Sequence, residues 1–326
     1  MKTPEYELLS RNVRNGLVEE SHFGVFLKFQ NGKVVKSFGK DNDYPFFQRS
    51  CMKPLQFAAI SEVVEAFDFS PQEIAVAMAS HSGEDFHIET ILSILKKIGL
   101  DESYLLCPPQ EPLNLEAKNS LIKNGQPYRA IHNNCSGKHA AMLAYCVLKG
   151  YEVKNYNEVN HPLQKHVLNF VSNLCGVSLL ECQISRDGCT LPVIATPLKN
   201  LAQGFLEVFT NEKFDKLKQA ALLYPYYFGG HGRTDSEIGA SSTSKNLIAK
   251  VGAGNLCCVV DLVEKACFVI KVADGDNFAR GVILTEFLKK SKKINSEKLE
   301  KLFPTKITDE IGVEVGKIEV FCTDFE

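Results

Sequence analysis

Ser50-Cys51-Met52-Lys53 places a hydroxyl and an amine three residues apart, just before a run of apolar residues with helical spacing. Positions i and i+3 lie on one face of an α-helix, so this spacing predicts that the two side chains can meet. A lysine buried beside a serine loses its proton more easily and can then serve as the base that activates the hydroxyl. The pair alone is a weak indication, because serine and lysine are common. It gains meaning only if the chain also supplies the other parts of a serine–lysine hydrolase.

The composition is that of a globular protein. The chain has 326 residues, of which 44% are hydrophobic and 23% are charged, and its formal net charge is −2. This length suits one large domain or two closely packed lobes. The near-neutral charge, with no basic stripe, argues against a nucleic acid or an anionic membrane as the partner. No stretch of the sequence approaches the roughly 20 apolar residues of a membrane span.

Eleven cysteines are a high and odd number for a chain of this size. Residues 1–7 are not followed by the apolar stretch of a signal peptide, so we expect reduced thiols in the cytoplasm and not a disulfide framework. Cys135 and Cys189 lie in polar, glycine-containing turns, where a thiol is more exposed and more reactive. Five other cysteines lie in apolar runs and are predicted to fill the core: Cys146, Cys175, Cys257, Cys258 and Cys267.

Strand-like runs lie at both ends of the chain, with helical patterns between them. Val25 to Gln30 and Val34 to Phe38 flank Asn31-Gly32, a strong signal for a type I′ hairpin. Further strands are predicted at 257–262, 266–272 and 316–321. Helices are predicted from Pro54 through Val64, from Pro71 behind the N-cap Ser70, and at 86–99, 138–149, 162–174, 199–209, 213–224, 278–291 and 296–302.

This order of elements predicts an α+β fold. The terminal segments would form one antiparallel sheet covered by helices, and residues from roughly 50 to 225 would form a mainly helical lobe. We expect a single catalytic domain spanning residues 1–326. A cleft between the sheet and the helical lobe is then a favourable place for a small ligand.

Two further segments could complete a site around Ser50 and Lys53. The turn from Ala79 to Asp85 crowds two serines, a histidine and two acids together, and Lys250-Val251-Gly252 opens the C-terminal β region. The order of the three motifs follows that of penicillin-binding proteins and class A β-lactamases, although the last two motifs match only loosely. Two lysines close together lower each other's pKa, which favours one neutral amine as a base. The alternatives are a polar loop that caps the next helix for the first segment and an ordinary turn lysine for Lys250.

A second constellation centres on the two turn cysteines. Cys135 lies in Asn133-Asn134-Cys135-Ser136-Gly137-Lys138-His139, and Cys189 follows Asp187-Gly188. Two thiolates and a third donor could hold zinc, but the local spacing is not a C-x-x-C signature. The alternative is a structural turn in which Asn133 or Asn134 caps a helix beginning at Lys138.

Seven segments stand out together, in the order 49–54, 79–84, 133–139, 187–192, 232–235, 250–253 and 274–276. In this combination the chain resembles the rhizobial-type L-asparaginases, also called the asparaginase II family. The Asn-Cys-Ser-Gly-Lys-His block is long and specific, and the resemblance covers nearly the whole chain. It implies a fold similar to that of serine β-lactamases and penicillin-binding proteins, and hydrolysis of L-asparagine to L-aspartate and ammonia.

The resemblance implies two catalytic serine–lysine pairs, Ser50 with Lys53 and Ser80 with Lys250. Ser50 would attack the side-chain amide carbon with neutral Lys53 as its base, and backbone N–H groups at the start of the following helix would stabilise the oxyanion. Ser80 and Lys250 would relay protons, donate to the oxyanion or activate the water. Which of the two serines carries the acyl group stays open.

The resemblance also implies a homodimer and a zinc ion held by Cys135, Lys138 and Cys189. Lys138 can bind a metal only as a neutral amine, so metal binding would release a proton. The implied contacts with the substrate are Arg49 with the α-carboxylate, Asp187 with the amino group, and His139 through a polar contact.

Three alternatives to an asparaginase stay open. A glutaminase has the same chemistry and a pocket longer by one methylene, which is typically worth only ~1–3 kcal/mol of discrimination. A β-lactamase or a peptidase would act on a larger acyl donor. A non-catalytic zinc-binding protein would keep the cysteine turns without the chemistry.

Overall fold

A computed structural model describes residues 3–295 and 297–325. Residues 1 and 2, within the segment considered as a signal peptide, lie outside the described residues, as does residue 296, where the last helix was predicted to begin. The described strands are β1 (Glu7–Arg14), β2 (Leu17–Gln30), β3 (Lys33–Phe38), β4 (Phe46–Phe47), β5 (Ile184–Arg186), β6 (Pro192–Thr196), β7 (Leu247–Gly252), β8 (Leu256–Asp261), β9 (Ala266–Val272), β10 (Lys306–Thr308) and β11 (Glu314–Val320). The described α-helices are α1 (Lys53–Ala59), α2 (Val63–Ala66), α3 (Pro71–Ala77), α4 (Asp85–Lys97), α5 (Leu115–Lys123), α6 (Ser136–Lys149), α7 (Pro162–Leu174), α8 (Leu198–Thr210), α9 (Asp215–Leu223), α10 (Thr234–Ser241), α11 (Asn277–Lys290) and α12 (Glu297–Leu302).

The two ends of the chain form one large antiparallel sheet. Its strands follow the order β10-β11-β1-β2-β9-β8-β7, and β3 pairs with β2 outside this path. Every pairing in it is antiparallel. A small second sheet has the order β4-β6-β5. The predicted α+β architecture, a sheet formed by the terminal segments with a helical middle section, is therefore confirmed.

Side chains of the central strands point alternately to the two faces of the sheet, and both faces are buried. On β9, Phe268 and Ile270 belong to a core shared with α11, whereas Cys267 and Val269 face the core of the helical lobe. Successive side chains of a strand point to opposite faces, which accounts for this division. On β7 the same parity places Lys250 on the face of Ile248, toward the helical lobe.

Local signals predicted several elements well. Asn31 and Gly32 both have positive φ, as a type I′ turn requires, and they join β2 to β3. Ser70 and Glu73 form a complete capping box at the start of α3. The five cysteines assigned to the core are all buried.

Some elements differ from the prediction. The helix expected from Pro54 through Val64 is two helices, α1 and α2, because the chain turns between Ile60 and Glu62. Lys250 lies near the end of β7 and not at its start. Helix α6 begins at Ser136 with Cys135 as its N-cap, and the side chain of Asn133 instead accepts a hydrogen bond from the backbone of Cys135.

The end of β7 lies directly against the segment that carries Ser50. The thiol of Cys51 donates to the Lys250 carbonyl oxygen at 3.1 Å, and a Cβ placed on Gly252 would lie 3.1 Å from the Cys51 sulfur. Glycine permits this close approach, which brings the sheet edge and the helical lobe together at one cleft. Within the described part of the chain, none of the helices combines the length and apolarity needed to cross a bilayer.

Candidate active site

Ser50 lies in a tight turn at the meeting point of two cavities. Residues Arg49–Met52 form a 3₁₀ turn that leads into α1, and Arg49 has a φ of +47°. A left-handed arginine costs backbone energy, and such positions are commonly found at functional sites. Ser50 lines a cavity of about 250 Å³ on one side and a cavity of about 450 Å³ on the other.

Lys53, the first residue of α1, is fully buried and points at the loop that carries Ser80. Its Nζ lies 2.7 Å from the Ala79 carbonyl oxygen, 3.0 Å from Ser80 Oγ and 3.1 Å from the Asn134 carbonyl oxygen. No hydrogen bond joins Ser50 to Lys53 in the part of the chain that the structure describes. The hydroxyl that is hydrogen-bonded to the lysine is therefore that of Ser80, which lines the larger cavity together with Ser50.

The surroundings of Lys53 make its ammonium group easier to deprotonate. Burial lowers its pKa from 10.5 to about 8, and the cations of Lys138 and Lys250 act in the same direction, although the thiols of Cys135 and Cys189 oppose it. A neutral amine has two N–H groups and one lone pair. The carbonyl oxygens of Ala79 and Asn134 can only accept, so they take the two N–H groups. In the neutral amine the lone pair is then left for Ser80, whose hydroxyl can donate to it, whereas in the ammonium form Nζ donates to Ser80 Oγ at 3.0 Å.

Hydrogen bonds hold the Ser80 loop in place. The backbone N–H of His81 donates to the Asn134 carbonyl oxygen at 3.2 Å, and the N–H of Gly83 donates to His81 Nδ1 at 3.1 Å. Nδ1 is thus an acceptor, so Nε2 carries the proton and donates to Ser136 Oγ at 2.8 Å. Burial holds the pKa of His81 well below its usual value, and the ring stays neutral and fixes the loop.

Lys250 is paired with a carboxylate and not with Ser80. Its Nζ donates to Asp235 Oδ2 at 2.9 Å, and neither side chain is exposed to solvent. Burial alone would raise the pKa of Asp235, but Lys250 and Arg233 hold it below its usual range. The structure therefore joins Lys53 with Ser80 and Lys250 with Asp235, which differs from the two pairs that the resemblance implied.

The smaller cavity contains a cation and an anion beside Ser50. Arg49 Nε donates to Asp187 Oδ1 at 2.8 Å, and both residues line the cavity with Ser50. Asp187 also accepts the backbone N–H of Gly188 at 2.9 Å. An α-amino acid carries one carboxylate and one ammonium group, so it can exchange its own charges for this ion pair. The substrate contacts expected of Arg49 and Asp187 stay predictions, and both residues line this cavity.

The two turn cysteines converge at the wall of the same small cavity. The Cys135 thiol has one proton, which can be donated to Asn134 Oδ1 at 3.0 Å or to the neighbouring Cys189. The hydrogen bond from Cys135 to Cys189, together with the Lys138 cation 3.4 Å away, lowers the pKa of Cys189 despite its burial. The same hydrogen bond and burial raise the pKa of Cys135. Cys189 is therefore the thiolate of the pair.

His139 is a buried neighbour of the Cys189 thiolate. Tyr156 accepts the backbone N–H of Leu106 at 3.0 Å and donates its hydroxyl to His139 Nδ1 at 2.6 Å. The proton of His139 is therefore on Nε2, a buried atom without a partner at ordinary hydrogen-bond length, and it faces Cys189. The ring is fully buried and lines neither cavity, so the expected contact between His139 and the substrate stays a prediction.

The donor set around Cys189 suits zinc only if a lysine takes part. The described residues contain no group of three or more histidines, cysteines, aspartates or glutamates placed to hold a metal. Cys135, Cys189 and Lys138 nevertheless supply two sulfur atoms and one nitrogen in contact, a soft set that zinc accepts. Burial acts to lower the pKa of Lys138, but the thiols of Cys189 and Cys135 raise it above its ordinary value. A metal must therefore displace a proton from this lysine.

Three charged residues of the site had no role in the sequence analysis. Arg233 and Arg280 line the larger cavity, and Asp235 holds Lys250 behind it. Gly232-Arg233-Thr234-Asp235 was part of the resemblance, but nothing in its spacing indicated which lysine the aspartate would meet. Arg280 lies on α11, 45 residues after Asp235 along the chain, and only the folded structure brings the two near one cleft.

Comparisons with known proteins place this site in a family. The family model described as L-asparaginase II matches residues 11–320, a range that includes every site residue named above. No curated protein is significantly similar in sequence. One matching solved structure is described as a "putative beta-lactamase from Bacteroides dorei DSM 17855". It shares 13% sequence identity, with 84% of this chain and 93% of that chain covered, at a TM-score of 0.44.

The buried pair of Lys250 and Asp235 yields a stability prediction. Asp235→Ala or Lys250→Met alone leaves an uncompensated buried charge and should lower the free energy of unfolding by about 3–5 kcal/mol. The loss of unfolding free energy in the double variant should be clearly smaller than the sum of the losses in the two single variants, as urea denaturation can measure. The exposed pair Lys306–Glu314 is the control, and its disruption should cost less than about 1 kcal/mol. Additive losses at Lys250 and Asp235 would contradict the assigned pairing.

Proposed function

The chain belongs to the L-asparaginase II family, as the seven sequence segments predicted, and on this basis we propose that it hydrolyses the side-chain amide of L-asparagine to L-aspartate and ammonia. Membership makes the protein an asparaginase-type hydrolase that acts on amides. Asparagine as the substrate, a serine–lysine mechanism and the roles of individual residues are the proposal.

The ion pair between Arg49 and Asp187 is the observation that carries this proposal. It lies in a cavity of about 250 Å³ that also contains Ser50, so the receptor for the α-carbon groups and the nucleophile share one small space. Arg49 would bind the α-carboxylate, and Asp187 would bind the α-ammonium group. A substrate held in this way presents its side-chain amide to Ser50.

In the proposed mechanism Ser50 attacks the amide carbon, because it is the serine that lines both cavities. Its proton passes to Ser80 as Ser80 gives its own proton to neutral Lys53. The lysine returns a proton to the departing nitrogen, ammonia leaves, and water then hydrolyses the aspartyl ester on Ser50. Because this base must be neutral, activity should rise with pH through the Lys53 pKa of about 8.

Two further groups would support this chemistry electrostatically. The backbone N–H of Ser50 has no acceptor within the described residues, so it can donate to the oxyanion that forms during the attack. Lys250 stays paired with Asp235, and its positive charge helps to lower the pKa of Lys53. We therefore assign Lys250 an electrostatic role and not the role of a base.

The proposal includes one zinc ion held by Cys135, Lys138 and Cys189, which would act as a Lewis acid at the edge of the amino-acid cavity. It also includes a homodimer and a cytoplasmic location; eleven unpaired cysteines fit a reducing compartment. Elemental analysis of protein purified without a chelator should find one zinc per chain and none in Cys189→Ala. A wild-type protein free of zinc would contradict the metal assignment.

Ammonia release tests the substrate directly. We expect kcat/KM for L-asparagine to exceed that for L-glutamine by about tenfold or more, since one extra methylene is worth ~1–3 kcal/mol in a fitted pocket. Asp187→Ala should raise KM for asparagine, because the α-ammonium group loses its partner. Preference for glutamine would make the protein a glutaminase. Absence of any amidase activity with zinc still bound would favour a non-catalytic zinc protein, and turnover of a chromogenic cephalosporin would favour a β-lactamase.

Mass spectrometry tests which serine is acylated. Rapid quenching of the reaction with asparagine should show an added aspartyl group on the peptide that contains Ser50. Ser50→Ala should lose the adduct and nearly all activity, whereas Ser80→Ala should keep the site of acylation but react about 10²–10⁴-fold more slowly, as expected when proton transfer is impaired. An adduct on Ser80, or near-full activity of Ser50→Ala, would overturn the assignment.

A further inference from the structure

The larger cavity beside Ser50 has more space than the proposed reaction needs. Its volume is about 450 Å³, against about 250 Å³ for the cavity that would hold the amino-acid part of asparagine. Ammonia is the only group that asparagine would release into it. Both Ser50 and Ser80 line this space, so whatever occupies it lies next to the reacting bond.

Two arginines give this cavity a positive charge. Arg280 is 4% exposed, and its Nη1 donates to Asn255 Oδ1 at 3.1 Å, which leaves its buried Nε without a partner. Arg233 Nε is also buried and unpartnered. The nearest carboxylate is Asp235, whose Oδ1 lies 3.9 Å from Arg233 Nε, beyond hydrogen-bond length, while its Oδ2 is held by Lys250.

No aspartate or glutamate lines this cavity among the described residues. Both guanidinium groups line the cavity, and each has a buried Nε–H without a hydrogen-bond partner. Arg233 lies within ion-pair distance of Asp235, whereas Arg280 has no carboxylate within that distance among the described residues. Guanidinium groups bind carboxylates especially well, because their paired donors match the two carboxylate oxygens.

The position of Ser50 decides which part of a substrate would reach this receptor. Ser50, Asn134 and Ala253 line both cavities, so the attacked carbonyl carbon would lie at their junction. The α-carbon groups extend toward Arg49 and Asp187 on one side. A substituent on the amide nitrogen must then extend to the other side, toward Arg233 and Arg280.

We propose that Arg233 and Arg280 form a carboxylate subsite for the leaving group, and that the enzyme accepts β-aspartyl amino acids as well as asparagine. The inference rests on the proposed function, because it uses the same acyl group and the same serine. Ser50 forms an ester with the β-carbonyl carbon as the C–N bond breaks, and the amino acid leaves after its nitrogen takes up a proton. Water then cleaves the ester, so one dipeptide and one water give aspartate and one amino acid.

A matched pair of substrates tests the subsite in the wild-type enzyme. β-Aspartyl-glycine carries the carboxylate, and β-aspartyl-glycinamide has an uncharged amide in its place. We expect kcat/KM to be at least about tenfold higher for the acid, the equivalent of about 1.4 kcal/mol. Arg233→Gln and Arg280→Gln should each reduce this ratio to about twofold or less. Arg14→Gln, which changes an exposed arginine on β1, is the control and should keep the wild-type ratio.

A binding measurement distinguishes an incorrect subsite from an incorrect proposed function. Calorimetry is done with the Ser50→Ala, Ser80→Ala double variant, or with the wild-type protein if the wild type proves inactive. The Kd for β-aspartyl-glycine should be about tenfold lower than the Kd for its amide. Equal Kd values, or equal kcat/KM values for the acid and the amide in an enzyme that hydrolyses asparagine, overturn the subsite alone. Absence of asparagine hydrolysis overturns the proposed function, and the two Kd values then still decide whether the carboxylate is bound.

Discussion

Three lysines buried around one cleft set the physical constraint on which the site depends. Lys53, Lys138 and Lys250 are each less than 5% exposed. Burial of an ammonium group costs several kcal/mol unless an anion or strong hydrogen bonds compensate for it. Lys138 meets the Cys189 thiolate and Lys250 meets the Asp235 carboxylate, but Lys53 meets only two carbonyls and a hydroxyl. The lysine without an anionic partner is therefore the one whose pKa falls to about 8.

The fold provides this arrangement by joining parts that lie far apart in the sequence. Strand parity on β7 turns Lys250 toward the helical lobe, and the small Gly252 lets the strand end approach the turn that carries Ser50. Fixed polar groups that are oriented before the substrate arrives stabilise charge without having to reorganise. The site therefore depends on contact between the sheet edge and the helical lobe, and a change that moves either one should disturb it.

The sequence predicted the elements that depend on short-range chemistry. Asn31-Gly32 specifies its hairpin through backbone preference, and Ser70 with Glu73 specifies a helix start through two reciprocal hydrogen bonds. Helix α5 was missed although Asn114 caps its first turn, because it buries none of its residues and so lacks the pattern of a core-facing helix. Helix α10 was missed because several of the residues that it buries are polar, such as Asp235 and Glu237, so its buried face does not show as an apolar pattern.

The pairing of serines with lysines could not be read from spacing. Ser50 and Lys53 are three residues apart, yet Lys53 turns to Ser80 and to the Asn134 carbonyl, which belong to other segments. Long side chains choose among several partners within reach, and the choice depends on contacts between elements. The family resemblance thus predicted Ser50, Lys53, Ser80 and Lys250 as members of one site, whereas the partner of each lysine and the presence of Arg280 at the cleft required the structure.

The pKa of Lys53 is the quantity that tests this account most directly. Chemical shifts of ¹³Cε-labelled lysines can be followed by NMR as the pH is raised, with Lys53→Met to assign the signal. The account predicts one lysine that titrates near pH 8 and whose signal is absent from Lys53→Met. If every lysine signal titrates near or above the ordinary value of about 10.4, Lys53 keeps its proton through the pH range in which activity should rise and cannot be the base.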